Sequence, residues 1–292
     1  MTQNDSNELA KYFNDRETIA DYLDVYSNQD GEYESLKAVP FSRFREKLIL
    51  KTALRLLHDG DSVLEIGCGI GHLLNSLLAQ GVDAKGIDNS ESMVEQAKVL
   101  LTSQGQTPNR VTSASLFDYQ PDNLFSLVIA NGVICYYQDQ IEFLKRVTAL
   151  LTNDGAALII HRNALFNLFA LNQGTIEFIA DNLLSHFPVD EREQITGDLQ
   201  NTINGLQTPV QQHSNAHLYR SAENPLDVTE RYAAGGLVVK QLLYTFIHPF
   251  SPRLNRKVSA DLIETVQQRY ENDWRGMFLG SQFLVIAEKA PL

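Results

Sequence analysis

The stretch Val63-Leu64-Glu65-Ile66-Gly67-Cys68-Gly69-Ile70-Gly71-His72 constrains this chain more than any other. An apolar run of strand character leads into glycines at alternate positions, and a helical segment follows. Such a loop lets the backbone turn sharply, approach a ligand closely and aim free N–H groups at it. Gly67, Gly69 and Gly71 are therefore expected to floor a binding site. The next apolar run ends at Gly86-Ile87-Asp88, and a carboxylate about 20 residues past such a loop is placed to hold a ribose diol. Position 72 is His, so the last glycine of the dinucleotide fingerprint is missing. That favours an adenosyl ligand without a pyrophosphate over a nicotinamide dinucleotide.

The surrounding pattern says what carries the loop. Short runs rich in Val, Ile and Leu occur at 62–66, 83–87, 110–114, 125–131 and 155–161. Helical segments fall between most of them, at 71–80, 90–103 and 138–151. This alternation marks right-handed βαβ units in a parallel sheet. Strands at 237–246 and 281–288, with a helix near 258–272 between them, complete an α/β, Rossmann-like, mostly parallel seven-stranded sheet with helices on both faces. Upstream, a helix at 41–57 is closed by the Asp59-Gly60-Asp61 turn. Residues 27–39 are polar and read as a linker, and 8–26 carry an aromatic stripe of helical spacing. Some 70 residues between 162 and 235 exceed what a plain crossover needs, so they are expected to form a mainly helical lid insertion.

With these residues in place, the chain resembles the class I S-adenosylmethionine (SAM)-dependent methyltransferase family. The family's first motif, an acid followed by Gly-x-Gly-x-Gly, is matched by Glu65, Gly67, Gly69 and Gly71, with Cys68 inside the loop. Its ribose-binding acid is matched by Asp88, followed by Asn89, Ser90 and Met93. The adenine-binding stretch is similar to Ala114-Ser115-Leu116-Phe117-Asp118, and the fourth-strand motif to 125–133, which includes Asn131. The resemblance implies SAM as cofactor, held by Glu65, Gly67, Cys68, Gly69, Gly71, Asp88, Asn89, Met93, Ser115, Leu116 and Asn131. It covers 41–161 and, as the last two strands, 237–288. The chain then divides into an N-terminal helical cover and linker (1–40), a SAM-binding core (41–161), a lid or acceptor-pocket insertion (162–235) and the closing strands (236–292). Two positions depart from the family. Ser115 stands where an acid is frequent, so adenine recognition would use its hydroxyl or backbone; Phe125-Ser126 replaces the usual Phe-Asp, a change read as structural.

Methyl transfer is an in-line displacement at an already activated sulfonium, so positioning supplies much of the rate and no fixed triad is expected. Acceptor-side candidates lie where open α/β sheets bind ligands, at the carboxyl ends of strands four and five. They are Asn131, Tyr136 and Tyr137 after the fourth, and His161, Arg162 and Asn163 at the fifth. His161, Tyr136 and Asn131 are the catalytic candidates, with His161 the best general base by its ordinary pKa. His72 would touch either the substrate or only the helix N-terminus. Tyr12, Tyr22 and Tyr26 would either cover the methionine end or pack the core. His248-Pro249-Phe250 and Trp274-Arg275-Gly276 could line the acceptor pocket. A SAM-consuming cyclase or alkyltransferase, and a non-catalytic SAM-binding module, stay open as alternatives.

Charge narrows the partners. Twenty-four Lys and Arg against 36 Asp and Glu leave a net charge of −12, which repels a nucleic-acid backbone. The acceptor is thus expected to be a small-molecule metabolite, with no nucleic acid and no membrane as partner. The polar, acidic N-terminus and the lack of any long apolar run point to a cytoplasmic protein. Two cysteines, Cys68 and Cys135, are expected as free thiols. Neither they nor His213 and His217 form metal-ligand spacing, so no metal is expected.

Overall fold

The computed structural model describes residues 12–15, 32–205, 220–254 and 256–291. Seven strands form its main sheet: β1 (Ser62–Ile66), β2 (Asp83–Asp88), β3 (Val111–Ser113), β4 (Phe125–Ala130), β5 (Leu151–Arg162), β6 (Leu237–Ile247) and β7 (Gly280–Lys289). Their order is β3-β2-β1-β4-β5-β7-β6. Every pairing from β3 to β5 is parallel, whereas β7 runs antiparallel between β5 and β6. The sheet is thus mixed but mostly parallel, and Rossmann-like.

The strands at its centre are apolar on both sides because helices cover both faces. On one face lie α1 (Phe41–Leu56), α2 (His72–Ala79) and α3 (Glu91–Ser103), packing Ile49, Leu74, Leu77 and Leu101 against Val63, Leu127 and Leu158. On the other lie α4 (Gln140–Leu150), α8 (Val228–Ala234) and α9 (Ala260–Tyr270), after the insertion helices α5 (Asn167–Ala170), α6 (Gln173–Phe178) and α7 (Val189–Gly205). Phe143, Tyr232 and Phe283 are the largest side chains wholly buried there. The short α10 (Gly276–Leu279) precedes β7. Side-chain caps fix where three helices begin: Ser90 accepts from the Met93 amide, Asp139 from Glu142 and Ser259 from Leu262.

One boundary differs from the sequence expectation. β5 starts at Leu151, directly after α4 and four residues before the strand expected at 155–161. Leu151 is fully buried and pairs with Phe125, so tertiary packing draws the strand back past its polar residues. The expected helix at 8–26 lies outside the described residues except for 12–15. Residues 163–227 leave the sheet after β5 and contain α5 to α7. The segment starts and ends at one place, since Asn163 bridges Glu223 in parallel and the Glu223 amide donates to the Arg162 carbonyl at 2.8 Å.

Candidate active site

A cavity of about 430 Å³ opens at the carboxyl ends of β1, β2, β4 and β5, where an open parallel sheet binds its ligands. Its floor is the loop after β1. Gly67, Gly69 and Gly71 have φ of +67°, +51° and +85°, which L side chains rarely adopt. They do different work. A Cβ on Gly67 would sit 2.3 Å from the Val133 side chain, whereas one on Gly69 would meet nothing within 4 Å. Gly71 lies behind the cavity wall, starts α2 and packs on Ala97, so its place is helix packing and not the ligand floor expected for it.

Asp88, the last residue of β2, faces the loop. Its carboxylate accepts from the Gly69 amide at 2.8 Å and the Ser90 amide at 2.9 Å. Burial raises its pKa, against the pull of backbone hydrogen bonds from Ser90, Gly69 and Asn89. Asn89 and Met93 continue the wall from β2 into α3, and Ser115 and Leu116 form the side next to β3. Ser115 donates to the Asp118 carboxylate at 3.0 Å and accepts from the Phe117 amide, so its hydroxyl shapes its own turn. At the other departure, Ser126, the side chain hydrogen-bonds Asp61, whose carboxyl is held below its ordinary pKa first by the His58 amide and then by Ser126.

Glu65 is the most confined charge, 1% exposed at the end of β1, with Oε2 buried and unpartnered among the described residues. Burial, then the neighbouring Glu46 and Asp88, push its pKa well up, and Arg45 pulls it down. Arg45 projects from α1, donates to Gln282 at 3.1 Å and lies 5.4 Å above the Phe246 ring. Phe246 itself holds a φ of +55°, an uncommon conformation for an aromatic residue. Asn131 follows β4 with its Oδ1 buried and without a hydrogen-bond partner among the described residues. Buried acceptors at Glu65 and Asn131, beside an open Gly69, are what an adenosyl amino acid with an ammonium group needs.

The far end of the cavity is aromatic and basic. Tyr136 and Tyr137 line it, with Cys135, Arg162 and Arg220. Phe13 stands edge-on to Tyr136 at 5.7 Å. The Phe13 carbonyl and the Asn14 side chain both accept from Ser90 Oγ, tying this N-terminal segment to the start of α3. Tyr12 packs on Phe13, and Tyr22 and Tyr26 lie outside the described residues.

His161 does not reach the cavity. Side chains alternate along a strand, and Ile160 and Arg162 face the site while His161 points the other way. It is 1% exposed, hydrogen-bonded to the Tyr232 hydroxyl at 2.7 Å and stacked on Phe283 at 5.3 Å. Burial, then Arg231, lowers its pKa to about 3, which makes it a weak base, and it faces away from the cavity. Asn163 points away as well, donating to the Met277 and Gly280 carbonyls. His72 does line the cavity, with burial and then Arg43 lowering its pKa to about 4.

His248 is buried between Phe41 and Phe166, and Trp274 is 67% exposed, so neither downstream cluster lines this cavity. Cys68 and Cys135 are free and buried. His213 and His217 lie outside the described residues. No described helix is long and apolar enough to cross a membrane.

Sequence reading missed Arg45, Gln282 and Arg220, which converge here from α1, β7 and the end of the insertion. The signal available was the alternation in β5, which places Arg162 and not His161 on the cavity side.

Comparison with known proteins agrees with this geometry. Residues 41–216 match a family model described as a methyltransferase domain. A ubiquinone biosynthesis O-methyltransferase from Rickettsia felis is 25% identical over 154 residues, covering 52% of this chain and 62% of that protein. One from Bradyrhizobium diazoefficiens is 29% identical over 152 residues, covering 47% and 60%. The match thus spans about three fifths of these relatives' length. Among solved structures, magnesium protoporphyrin IX methyltransferase from Synechocystis PCC 6803, with bound SAH, superposes with a TM-score of 0.57 at 14% identity, covering 98% of this chain and all of that one. The fold, the glycine loop with its facing acid and the family match agree: the chain belongs to the methyltransferase-domain family.

Proposed function

We propose that this protein transfers the methyl group of SAM to an oxygen of a small-molecule acceptor. One observation carries the reading: a single cavity runs from the glycine loop and Asp88 to the ends of β4 and β5, so donor and acceptor would share one enclosed space. Asp88 would hold the ribose diol, with Ser115, Leu116, Asn89 and Met93 around the base. The buried Glu65 carboxylate suits the methionine ammonium, and the adjacent Arg45 suits its carboxylate. The cofactor supplies a methyl group on a positively charged sulfur, a good leaving group. The chain then has to fix the approach of the acceptor and exclude water.

Asn131, Tyr136 and Tyr137 stand where that approach would be set. Proton removal is a weaker part of the design. His72 is held low at about 4, and burial, then Asp88, push Tyr137 up to about 12. An acceptor that arrives ionised fits such a lining best. The names of the curated relatives support oxygen as the acceptor atom, and the net charge of −12 supports a metabolite over a nucleic acid. The segment between β5 and β6 would act as the cover of the acceptor side, and the cytoplasm as the site of action.

The test is to incubate purified protein with SAM, with and without a metabolite extract, and to identify the nucleoside by mass spectrometry. S-adenosylhomocysteine formed only with extract is expected. Methylthioadenosine formed without an acceptor would overturn the assignment in favour of transfer of another SAM carbon.

A further inference from the structure

Two arginines at the acceptor end of the cavity have no ion-paired carboxylate among the described residues. Arg162 ends β5 and Arg220 lies 58 positions later in the sequence, yet both line the same cavity. The Ser221 amide donates to the Cys135 carbonyl at 2.9 Å, and the Glu223 amide to the Arg162 carbonyl at 2.8 Å. Ser221 also accepts from Gln140 at 2.7 Å, which anchors the same strip to α4. Arg220 lies over the Tyr136 ring at 5.6 Å, and its Nε is buried with no hydrogen-bond partner among the described residues.

The nearby acid is engaged elsewhere. Glu223 is ion-paired to Arg231, and among the described residues no ion pair includes Arg162 or Arg220. The carboxylates of the cavity are Glu46, Glu65 and Asp88, and after burial the first and last push the Glu65 pKa up at the cofactor end. At the other end, burial pushes the Cys135 thiol up, and the charges acting on it are Arg162, Arg220 and Arg45, all cationic. In a chain with a surplus of 12 negative charges, an unanswered pair of guanidiniums on a cavity wall is a recognition device.

Building on the methyl-transfer reading, we propose that the acceptor is an anionic metabolite whose carboxylate or phosphate is gripped by Arg162 and Arg220 beside Tyr136. A planar guanidinium pair matches either group, and Tyr136 supplies a face for an adjoining ring or chain. Such a ligand would also satisfy Arg220 Nε.

The test begins by titrating the full-length protein with S-adenosylhomocysteine in a calorimeter. The saturated protein is then titrated with benzoate, 4-hydroxybenzoate, glutarate and citrate, each beside its amide, and with phenyl phosphate beside phenol. At least one anion should bind, its neutral partner should not, and Arg162→Gln and Arg220→Gln should each weaken it about tenfold or more. Affinity for S-adenosylhomocysteine should stay unchanged in both variants, which also shows that they fold. The acid and phosphate arms distinguish the two chemistries. The proposal fails if no anion binds, if the amides bind equally well, or if either variant loses S-adenosylhomocysteine as strongly as the anion, which would give these arginines to the methionine carboxylate. A wild-type protein that takes up no S-adenosylhomocysteine would instead bring down the cofactor reading beneath it.

Discussion

Replacing Asp88 with Ala tests the cofactor site at its hinge. In this structure the carboxylate already holds two amides, those of Gly69 and Ser90, at 2.8 and 2.9 Å. It therefore shapes the loop and would hold the ribose as well. Loss of hydrogen bonds to a charged acceptor removes roughly 1.5 to 3 kcal/mol of SAM binding, or about 10- to 150-fold in Kd. Gly69 is half-buried and its amide can rehydrate, whereas Ser90 is fully buried, so folding stability should drop by ~1 to 3 kcal/mol in total. Calorimetric titration with SAM reads the first figure and urea denaturation the second. A pH series adds a sign. Because burial raises the pKa of Asp88 above 3.8, its effect on the free protein's stability is an ionisation penalty that grows as pH rises from 3.8 through the raised value. Binding through the ionised carboxylate has the opposite slope, so wild-type SAM affinity should fall as pH drops through that range, more steeply than in Asp88→Ala. A folded variant with unchanged SAM affinity would refute the reasoning.

The glycine loop makes a differential prediction: Gly67→Ala forces a Cβ to 2.3 Å from Val133, whereas Gly69→Ala meets open space. Both pay ~1 to 2 kcal/mol of backbone strain, but Gly67→Ala adds ~1 to 3 kcal/mol of overpacking, and equal urea midpoints would contradict this. His161→Phe should lower stability by ~1 to 3 kcal/mol, since it strands the buried Tyr232 hydroxyl, while kcat/KM and its pH profile stay as in the wild type. A large loss of kcat with unaltered stability would return His161 to catalysis.

The sheet was readable because its signal is local and repeated. Each strand is a short apolar run, each helix has its own period, and the Gly67 to Gly71 loop occurs where one passes into the other. The same locality made Glu65, Asp88, Met93 and Leu116 legible, since a motif orders them along the chain. His161 suits a base by its strand-end position and ordinary pKa, but the alternation of the strand turns it to the opposite face. One residue along β5 separates the core from the cavity. Arg45 and Arg220 were illegible for another reason: each reaches the site from an element remote in sequence, and neither sits in a motif. The early start of β5 at Leu151 likewise depends on its burial against Phe125, a contact that local propensity does not contain.

The pairing of Asn163 with Glu223 at the root of the insertion bears on how such an enzyme changes its habits. Because departure and return are stapled together, the cost of a longer or shorter intervening chain grows only slowly with length. Residues 164–219 can be rebuilt without moving Arg162, Arg220 or the sheet beneath them. The part of the protein freest to vary is thereby hinged to the part that meets the acceptor, and the cofactor half need not be renegotiated. New acceptors can be sampled by remodelling one excursion of the chain, which makes the span 164–219 the natural target for directed evolution of this scaffold.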